Sequence, residues 1–446
     1  MGRIDAIVVL CGLLAAGAAA ARDIPAFPEA EGFGAMAVGG RGGKVIFVTN
    51  LNDAGPGSFR EACMAKGPRI VIFRVGGLIT LASPLKITEP YITIAGQTAP
   101  GDGICLRSNV FAVTTHDAVV RFLRSRLGDL IRQESDSIDI YTPSRNVILD
   151  HCSASWSIDE TLSPTGNIAN ITVQWCLIAE SLNRSVHRKG EHGYGSLVHA
   201  TGGLTLHHNL WAHHTERNPR LGDDFYKPPF PTFDVRNNVM YNWSKMCSGL
   251  ADGDIKVNYV NNYLRPGPSS SQRKPIVLRR DTATENVRYY INGNFVEGRP
   301  ELTANNNDMF EPLEYQGKKL FTIVKTPYQT APVRTQSAKE AYDAVLENVG
   351  ATVPVRDSVD ARIIADVRQR TGKIIDSQKE VGGWPDYRSA APPPDADNDG
   401  VPDAWETAHG MNPRDAADAR AVDAASGYTK LELYLNELAR GGARRK

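Results

Sequence analysis

Near the C-terminus, twelve residues place oxygen donors where a hard cation needs them. They read Asp395-Ala396-Asp397-Asn398-Asp399-Gly400-Val401-Pro402-Asp403-Ala404-Trp405-Glu406. This fits the pattern D-x-D-x-D-G-x₅-E, a calcium-binding loop. Its ligands would be the carboxylates of Asp395, Asp397 and Asp399, the Val401 carbonyl, Asp403 through a water and a bidentate Glu406, with Gly400 making the sharp bend. The expected role is structural, because a small segment with little core gains folding energy from a bound metal. A partner loop would fall at Val422 to Leu433, but that stretch lacks the run of carboxylates. It reads instead as leading into a helix over Leu431 to Leu438.

A second set of reactive types is scattered through the middle of the chain. It comprises Asp150-His151, Asp159-Glu160, Lys189-Gly190 and Arg217-Asn218-Pro219-Arg220. Carboxylates can hold a divalent cation, and Lys or Arg beside it can stabilise negative charge that develops in a reaction. The pairs His207-His208 and His213-His214 do not extend this set, since adjacent residues on a strand point to opposite faces. Gly42-Gly43-Lys44-Val45 lacks the Ser or Thr of a phosphate-binding loop. Groups so far apart in sequence need a scaffold that stacks them.

That scaffold is visible as a repeat. β-rich pieces end at positions 97, 124, 152, 176, 209, 238, 262 and 294, at intervals of 24 to 33 residues. A fixed strand with a connection of variable length is the signature of a parallel β-helix, in which each coil lays a strand beside the preceding one. Asn209, Asn238, Asn262 and Asn294 recur at the same place in this pattern. They are expected to stack coil on coil, taking the left-handed backbone that Asn tolerates. Upstream, Val45 to Val48, Ile70 to Phe73 and Leu78 to Leu81 read as strands, and Phe59 to Ala65 as a short capping helix. Downstream the period turns helical over Ser337 to Asn348 and Asp357 to Arg370. The expected organisation is therefore a signal peptide at 1–21, a β-helix at 22–330 and a helical arm at 331–389. A Pro-rich linker at 390–394 and the calcium module at 395–446 complete it.

Composition narrows the function. The 446 residues carry 50 Lys plus Arg and 50 Asp plus Glu, so nothing suggests a nucleic-acid coat or a membrane-surface protein. Arg3, the apolar run from Ala6 to Leu14 and the small residues up to Ala21 read as a secretory signal cleaved near Ala20 or Ala21. Of six cysteines, Cys11 lies in that signal, and the odd remainder argues for buried thiols over a disulfide framework, with a Cys152–Cys176 bridge the one pairing left open.

The stretches Ala26-Phe27-Pro28-Glu29-Ala30-Glu31-Gly32-Phe33-Gly34, Thr49-Asn50-Leu51-Asn52-Asp53, Gly55-Pro56-Gly57-Ser58, Ile94-Ala95-Gly96-Gln97-Thr98 and Ile148-Leu149-Asp150-His151 together resemble secreted pectate lyases of polysaccharide lyase family 1. The resemblance covers about residues 26–300. It implies an all-β, right-handed parallel β-helix of the pectin-lyase-like kind, acting as a secreted monomer. It also implies β-elimination of polygalacturonate to 4,5-unsaturated oligogalacturonides, with Ca²⁺ bridging substrate and protein. From the family's aromatic-Ile-Asp-His signature, Asp150 is implied as a calcium ligand. From Arg-x-Pro-x-x-Arg, Arg217 is implied as the base; the last Arg is replaced by Gly222, and Arg220 is the substitute. Lys189, before Gly193-Tyr194-Gly195-Ser196, matches the family's lysine, with Arg184 in competition. Asp159 matches a second calcium carboxylate; the acid expected four residues on is Ser163, for which Glu160 or Glu180 would compensate. The C-terminal loop resembles dockerin-like or thrombospondin-type-3-like calcium repeats. Two other readings stand beside this one. The first is a pectin lyase or a pectic hydrolase on the same fold, the hydrolase using Asp136, Asp139 and Asp150 as acid and base. The second is a non-catalytic polysaccharide-binding β-helix.

Overall fold

The computed structural model describes residues 24–441, except 224–227, 229, 251–252, 279–286, 312–313, 316–317 and 320. The expected signal peptide lies outside the described residues. Each coil runs through three short strands joined by turns, and strands pair in parallel with the equivalent strand of the next coil, with one break in the third sheet between Leu162–Thr165 and Leu197–His199. One coil reads Arg145–Asp150, Ser153–Ser155 and Leu162–Thr165; the next begins at Ala169–Gln174. Stacking produces a first sheet of eleven strands and a second of nine. The third sheet is split into four strands and five. The chain is thus a parallel β-solenoid. A small antiparallel pair, Glu314–Tyr315 with Lys318–Lys319, lies outside these ladders.

The strand sequences explain the lumen. Inward positions of the first sheet carry Ile92, Ile94, Val120, Val147, Leu149, Ile171, Val173, Leu204, Leu206, Val235 and Val257, all buried in one continuous apolar cluster. Such β-branched and aliphatic side chains suit a pleated surface that is covered on one face. At the turn from the first to the second sheet, the expected asparagine stack is present and extends one member further. Asn209 Nδ2 donates to Asn238 Oδ1 (3.0 Å), Asn238 to Asn262 (3.0 Å), Asn262 to Asn294 (2.9 Å) and Asn294 to Asn306 (3.1 Å). The backbone reason differs from the expected one. The left-handed residue is the one before each ladder position: His208 (φ 54°), Asn237 (φ 55°), Asn261 (φ 52°) and Gly293 (φ 70°). That sharp bend frees the following Asn to turn inward. Toward the N-terminal coils the ladder continues as thiols, with Cys176 N–H donating to Asn209 Oδ1 and Cys152 N–H meeting Cys176 Sγ. The five described cysteines are buried and free, so the Cys152–Cys176 bridge does not form.

Three segments cover the outside. Phe27, Ala30 and Ala37 of the N-terminal stretch pack on Val119 and Ile148 of the first sheet. Helices Ala338–Asn348 and Ser358–Gln369 lie on the second sheet through Val345, Leu346, Ile363, Ile364 and Val367. The first of these helices starts with a reciprocal capping box between Ser337 and Glu340. The C-terminal segment packs Val401, Leu431 and Leu435 against Ile70, Ile72 and Ala95, and ends in helix Lys430–Gly441. Among the described residues, no helix is long and apolar enough to cross a membrane.

Candidate active site and its carboxylates

The groups that could do chemistry gather where each coil passes from the second sheet to the third. Four consecutive coils contribute. Asp136 precedes strand Ile138–Tyr141, and Asp159 and Glu160 precede Leu162–Thr165. His187, His192 and Tyr194 precede Leu197–His199, and Glu216 and Arg217 precede Arg220–Gly222. Single parallel bridges, Glu160 with Tyr194 and Tyr194 with Glu216, hold these segments in step. Glu160 N–H donates to Asp136 Oδ1 at 3.1 Å across one coil. Loops over a rigid solenoid wall are where variable chemistry can be mounted without disturbing the core.

Carboxylate oxygens of Asp136, Asp159 and Glu160 all lie within 4.8 Å of one another. Such crowding costs ionisation. Burial, with the charges of Asp139 and Asp159, pushes the Asp136 carboxyl well up. Burial raises Asp139 to about 6. Three hard oxygen donors on one wall suit Ca²⁺. Two imidazoles adjoin them: His192 Nε2 is 2.7 Å from Asp159 Oδ1, and the His187 ring stacks on His192 at 3.6 Å. Burial works against the Asp159 carboxylate, but the hydrogen bond and charge of His192 outweigh it and hold the group below its ordinary range.

Arg217 closes the cluster. Its guanidinium is ion-paired with Glu160 and lies 4.2 Å from the Tyr194 ring centre. Arg217 also has left-handed backbone, φ 67°, an unusual state for a long side chain. Burial first, and then the charge of Arg220, lower its guanidinium to about 10, against the opposing pull of Asp159 and Asp136. A guanidinium is ordinarily protonated at any working pH. Here two causes move it toward a range where it can give up and take back a proton.

Several expected site residues lie elsewhere. Asp150 is the main correction. It ends a first-sheet strand, is fully buried, and bonds to Arg121 (2.8 Å), His151 (2.7 Å) and Gln174 (2.8 Å). Arg121 in turn reaches Asn436 of the C-terminal helix, so Asp150 stands behind the outer cover and not among the groove carboxylates. Burial opposes its ionisation, but His151 and Arg121 win and hold it well below the carboxylate range. Its stabilisation is therefore present above about pH 4 and lost as pH falls. Asp150→Asn is expected to lower the melting temperature at neutral pH; scanning calorimetry of the variant checks it.

Lys189 is exposed on the loop rim, its N–H donating to His187 Nδ1 at 3.1 Å. Glu180 is held by Arg362 and Trp156, and Arg184 pairs with Glu191, so neither joins the cluster. Ser163 lies beside Asp139 on the paired strand, its Oγ accepting Leu197 N–H at 3.2 Å. Asp136 belongs in the cluster as a carboxylate beside Asp159 and Glu160, a place the sequence reading did not give it. The available signal was spacing: Asp136 and Glu160 are 24 residues apart, each just upstream of a third-sheet strand. His187 and His192 carried no such signal.

In the C-terminal loop, oxygens of Asp395, Asp397 and Asp399 lie within 4.8 Å of one another, and so do those of Asp399, Glu406 and Asp418. Val401 is buried, and its N–H donates to Asp399 Oδ1 (2.8 Å). Asp403 Oδ1 instead accepts Ala396 N–H at 2.7 Å. Burial and the neighbouring carboxylates raise Asp399 to about 6 and Glu406 to about 7.

No protein-family model matches the chain. Among curated relatives, the chain is 38% identical over 420 residues to a protein of Aspergillus terreus named probable pectate lyase C, covering 93% of this chain and 94% of that one. It is 38% identical over 418 residues to the Emericella nidulans protein of the same name, covering 93% and 92%. A solved pectate lyase from Bacillus sp. N165, in complex with trigalacturonate, superposes with a TM-score of 0.53 at 16% identity, over 73% of this chain and 99% of that one. A framework shared at such low identity speaks to fold alone. With the relatives at 38%, the chain belongs to the pectate lyase family. It is an enzyme of the lyase class.

Proposed function

We propose that the groove of Asp136, Asp159, Glu160 and Arg217 cleaves polygalacturonate by β-elimination with Ca²⁺, in a protein that is exported and works as a monomer. The observation that carries this reading is the meeting of three carboxylates with a guanidinium lowered to about 10. A divalent cation held by Asp136, Asp159 and Glu160 would neutralise a uronate carboxylate and so acidify the adjacent C5 proton. Arg217 takes that proton, and Arg220 keeps the guanidinium poised by repelling its positive form. Tyr194 supports the guanidinium face, and His192 orients the Asp159 carboxylate. Lys189 on the rim supplies positive charge to an incoming polyanion. The C5–H and C4–O bonds break, C4=C5 forms, and the leaving oxygen takes a proton from solvent; no water is consumed. The C-terminal loop is a second, structural calcium site in the same reading.

The test is the ultraviolet absorbance of the unsaturated product on polygalacturonate with added Ca²⁺. New reducing ends without that absorbance would assign a hydrolase instead, and glycan binding without turnover a lectin-like role. The pH profile adds an independent check. Because the base form of Arg217 grows about tenfold per pH unit below its pKa, kcat should rise with a slope near one and level off near pH 10. A profile flat from neutrality upward would exclude Arg217 as the base.

A further inference from the structure

We propose that the cation of the C-terminal loop is bound with the help of Asp418, a carboxylate from outside the loop, and that it clasps the C-terminal segment onto the first strands of the β-helix. This rests on reading the loop as a calcium site and adds a ligand and a purpose to it.

The observation behind it is a set of buried carboxylate oxygens with nothing to bond. Both oxygens of Asp397, both of Glu406, Oδ2 of Asp399 and Oδ1 of Asp418 are buried without a hydrogen-bond partner. Glu406 is 0% exposed and Asp399 5%. Burying ionised carboxylates without compensation is strongly unfavourable. A single calcium ion accepts about six to eight oxygens, which matches this set.

The remaining acids of the loop are engaged elsewhere. Asp395 Oδ2 pairs with Arg74 (2.7 Å) and accepts Gly400 N–H (3.1 Å), while Oδ1 accepts Asp399 N–H (3.3 Å). Asp418 is fixed for its part, its Oδ2 accepting Asn412 N–H at 2.9 Å.

Arg74 is the link to the solenoid. It follows strand Arg69–Phe73, donates to Asn398 Oδ1 at 2.8 Å and lies 3.6 Å from the Phe47 ring centre. Gly400 is pressed so closely on the same sheet that a Cβ there would come within 2.5 Å of Ile72 Cδ1. Beyond the loop, Glu432 pairs with Arg41 (2.8 Å), Arg440 with Glu29 (2.7 Å), and the Tyr428 hydroxyl donates to the Pro25 carbonyl (3.2 Å). The segment therefore bridges the first coil and the N-terminal stretch. An ion that joins Asp418 to Asp397, Asp399 and Glu406 ties the return segment to the loop and sets the surface that docks. Without it, mutual repulsion of four acids would open that surface.

The experiment uses the full chain in an Asp159→Asn background, which weakens the groove site so that the loop dominates the calcium signal. Calcium titration calorimetry and hydrogen exchange of strands 44–48 and 69–73 are measured with and without EDTA. Calcium should slow exchange in both strands at least tenfold, and Asp418→Asn should weaken calcium binding at least tenfold, as Glu406→Gln does. If Glu406→Gln and the parent bind calcium identically, the loop is not a calcium site and its reading fails. If Glu406→Gln weakens binding but Asp418→Asn does not, or calcium leaves the exchange of both strands unchanged, the site stands and the clasp falls. The exchange comparison needs no loop variant, so it decides even if Asp418→Asn does not fold.

Discussion

Arg217→Ala should lower kcat on polygalacturonate by about 10²- to 10⁴-fold, the usual contribution of a positioned proton-transfer group. The guanidinium is the one group in the cluster whose ordinary state is wrong for the task and whose surroundings correct it, through burial and the charge of Arg220. Calcium affinity should not fall with it. Glu160 would lose its ion pair with Arg217 and become more available to a cation, so calcium binding is expected to hold or tighten. Calorimetry on the variant separates loss of the base from collapse of the carboxylate wall. Arg220→Ala should act differently, raising the pKa of Arg217 and moving the alkaline limb of the pH profile upward, with a smaller loss at high pH than at neutrality.

The second large effect concerns the helical arm. Arg126 is fully buried under it, donating to Asp357 (2.9 Å) and Asp360 (2.7 Å). Burial opposes its charge, but the two carboxylates outweigh this and lift its pKa well above the ordinary value. Removing one partner of a buried pair leaves an uncompensated charge and costs about 3–5 kcal/mol. Arg126→Met, which strands the buried Asp360, is expected to cost stability in that range, read from urea unfolding. Asp360 also accepts from Ser153 Oγ, and Arg126 from its own strand reaches Ser155 Oγ, so the loss spreads into the second sheet. Replacing Arg126 together with Asp357 and Asp360 by apolar residues would not escape the cost, because buried Arg124, 3.4 Å from Asp357, would lose its carboxylate in turn.

The solenoid was legible because its repeat is local. One strand and one bend recur about every 24 to 33 residues, and Asn238 or Asn262 announces its own place. Arg217, Asp159 and Glu160 were named from the family resemblance, and the fold brings Arg217 to Glu160 from two coils away. Asp150 misled for a physical reason. An Asp-His at a strand end can face the groove or the outer cover, and only the turn direction decides; here it faces Arg121 and the C-terminal helix. Asp418 could not be found from the loop pattern, because it reaches the loop through the fold and not through spacing. His187 and His192 come together on a long loop whose path no periodicity fixes.

The thiols in the ladder bear on the export proposed for this protein. Cys152 and Cys176 occupy steps that asparagines hold in later coils, Cys63 and Cys247 lie in the solenoid core, and Cys105 is buried near Arg126 and Tyr387. Burial raises Cys105 to about 11 and lifts Cys63, Cys176 and Cys247 further from ionisation, so the reactive thiolate is scarce. An oxidising medium would find all five described cysteines buried in the native chain. For these five thiols, scrambled crosslinks are a risk of the unfolded chain, and the speed with which the coils close decides how long that exposure lasts.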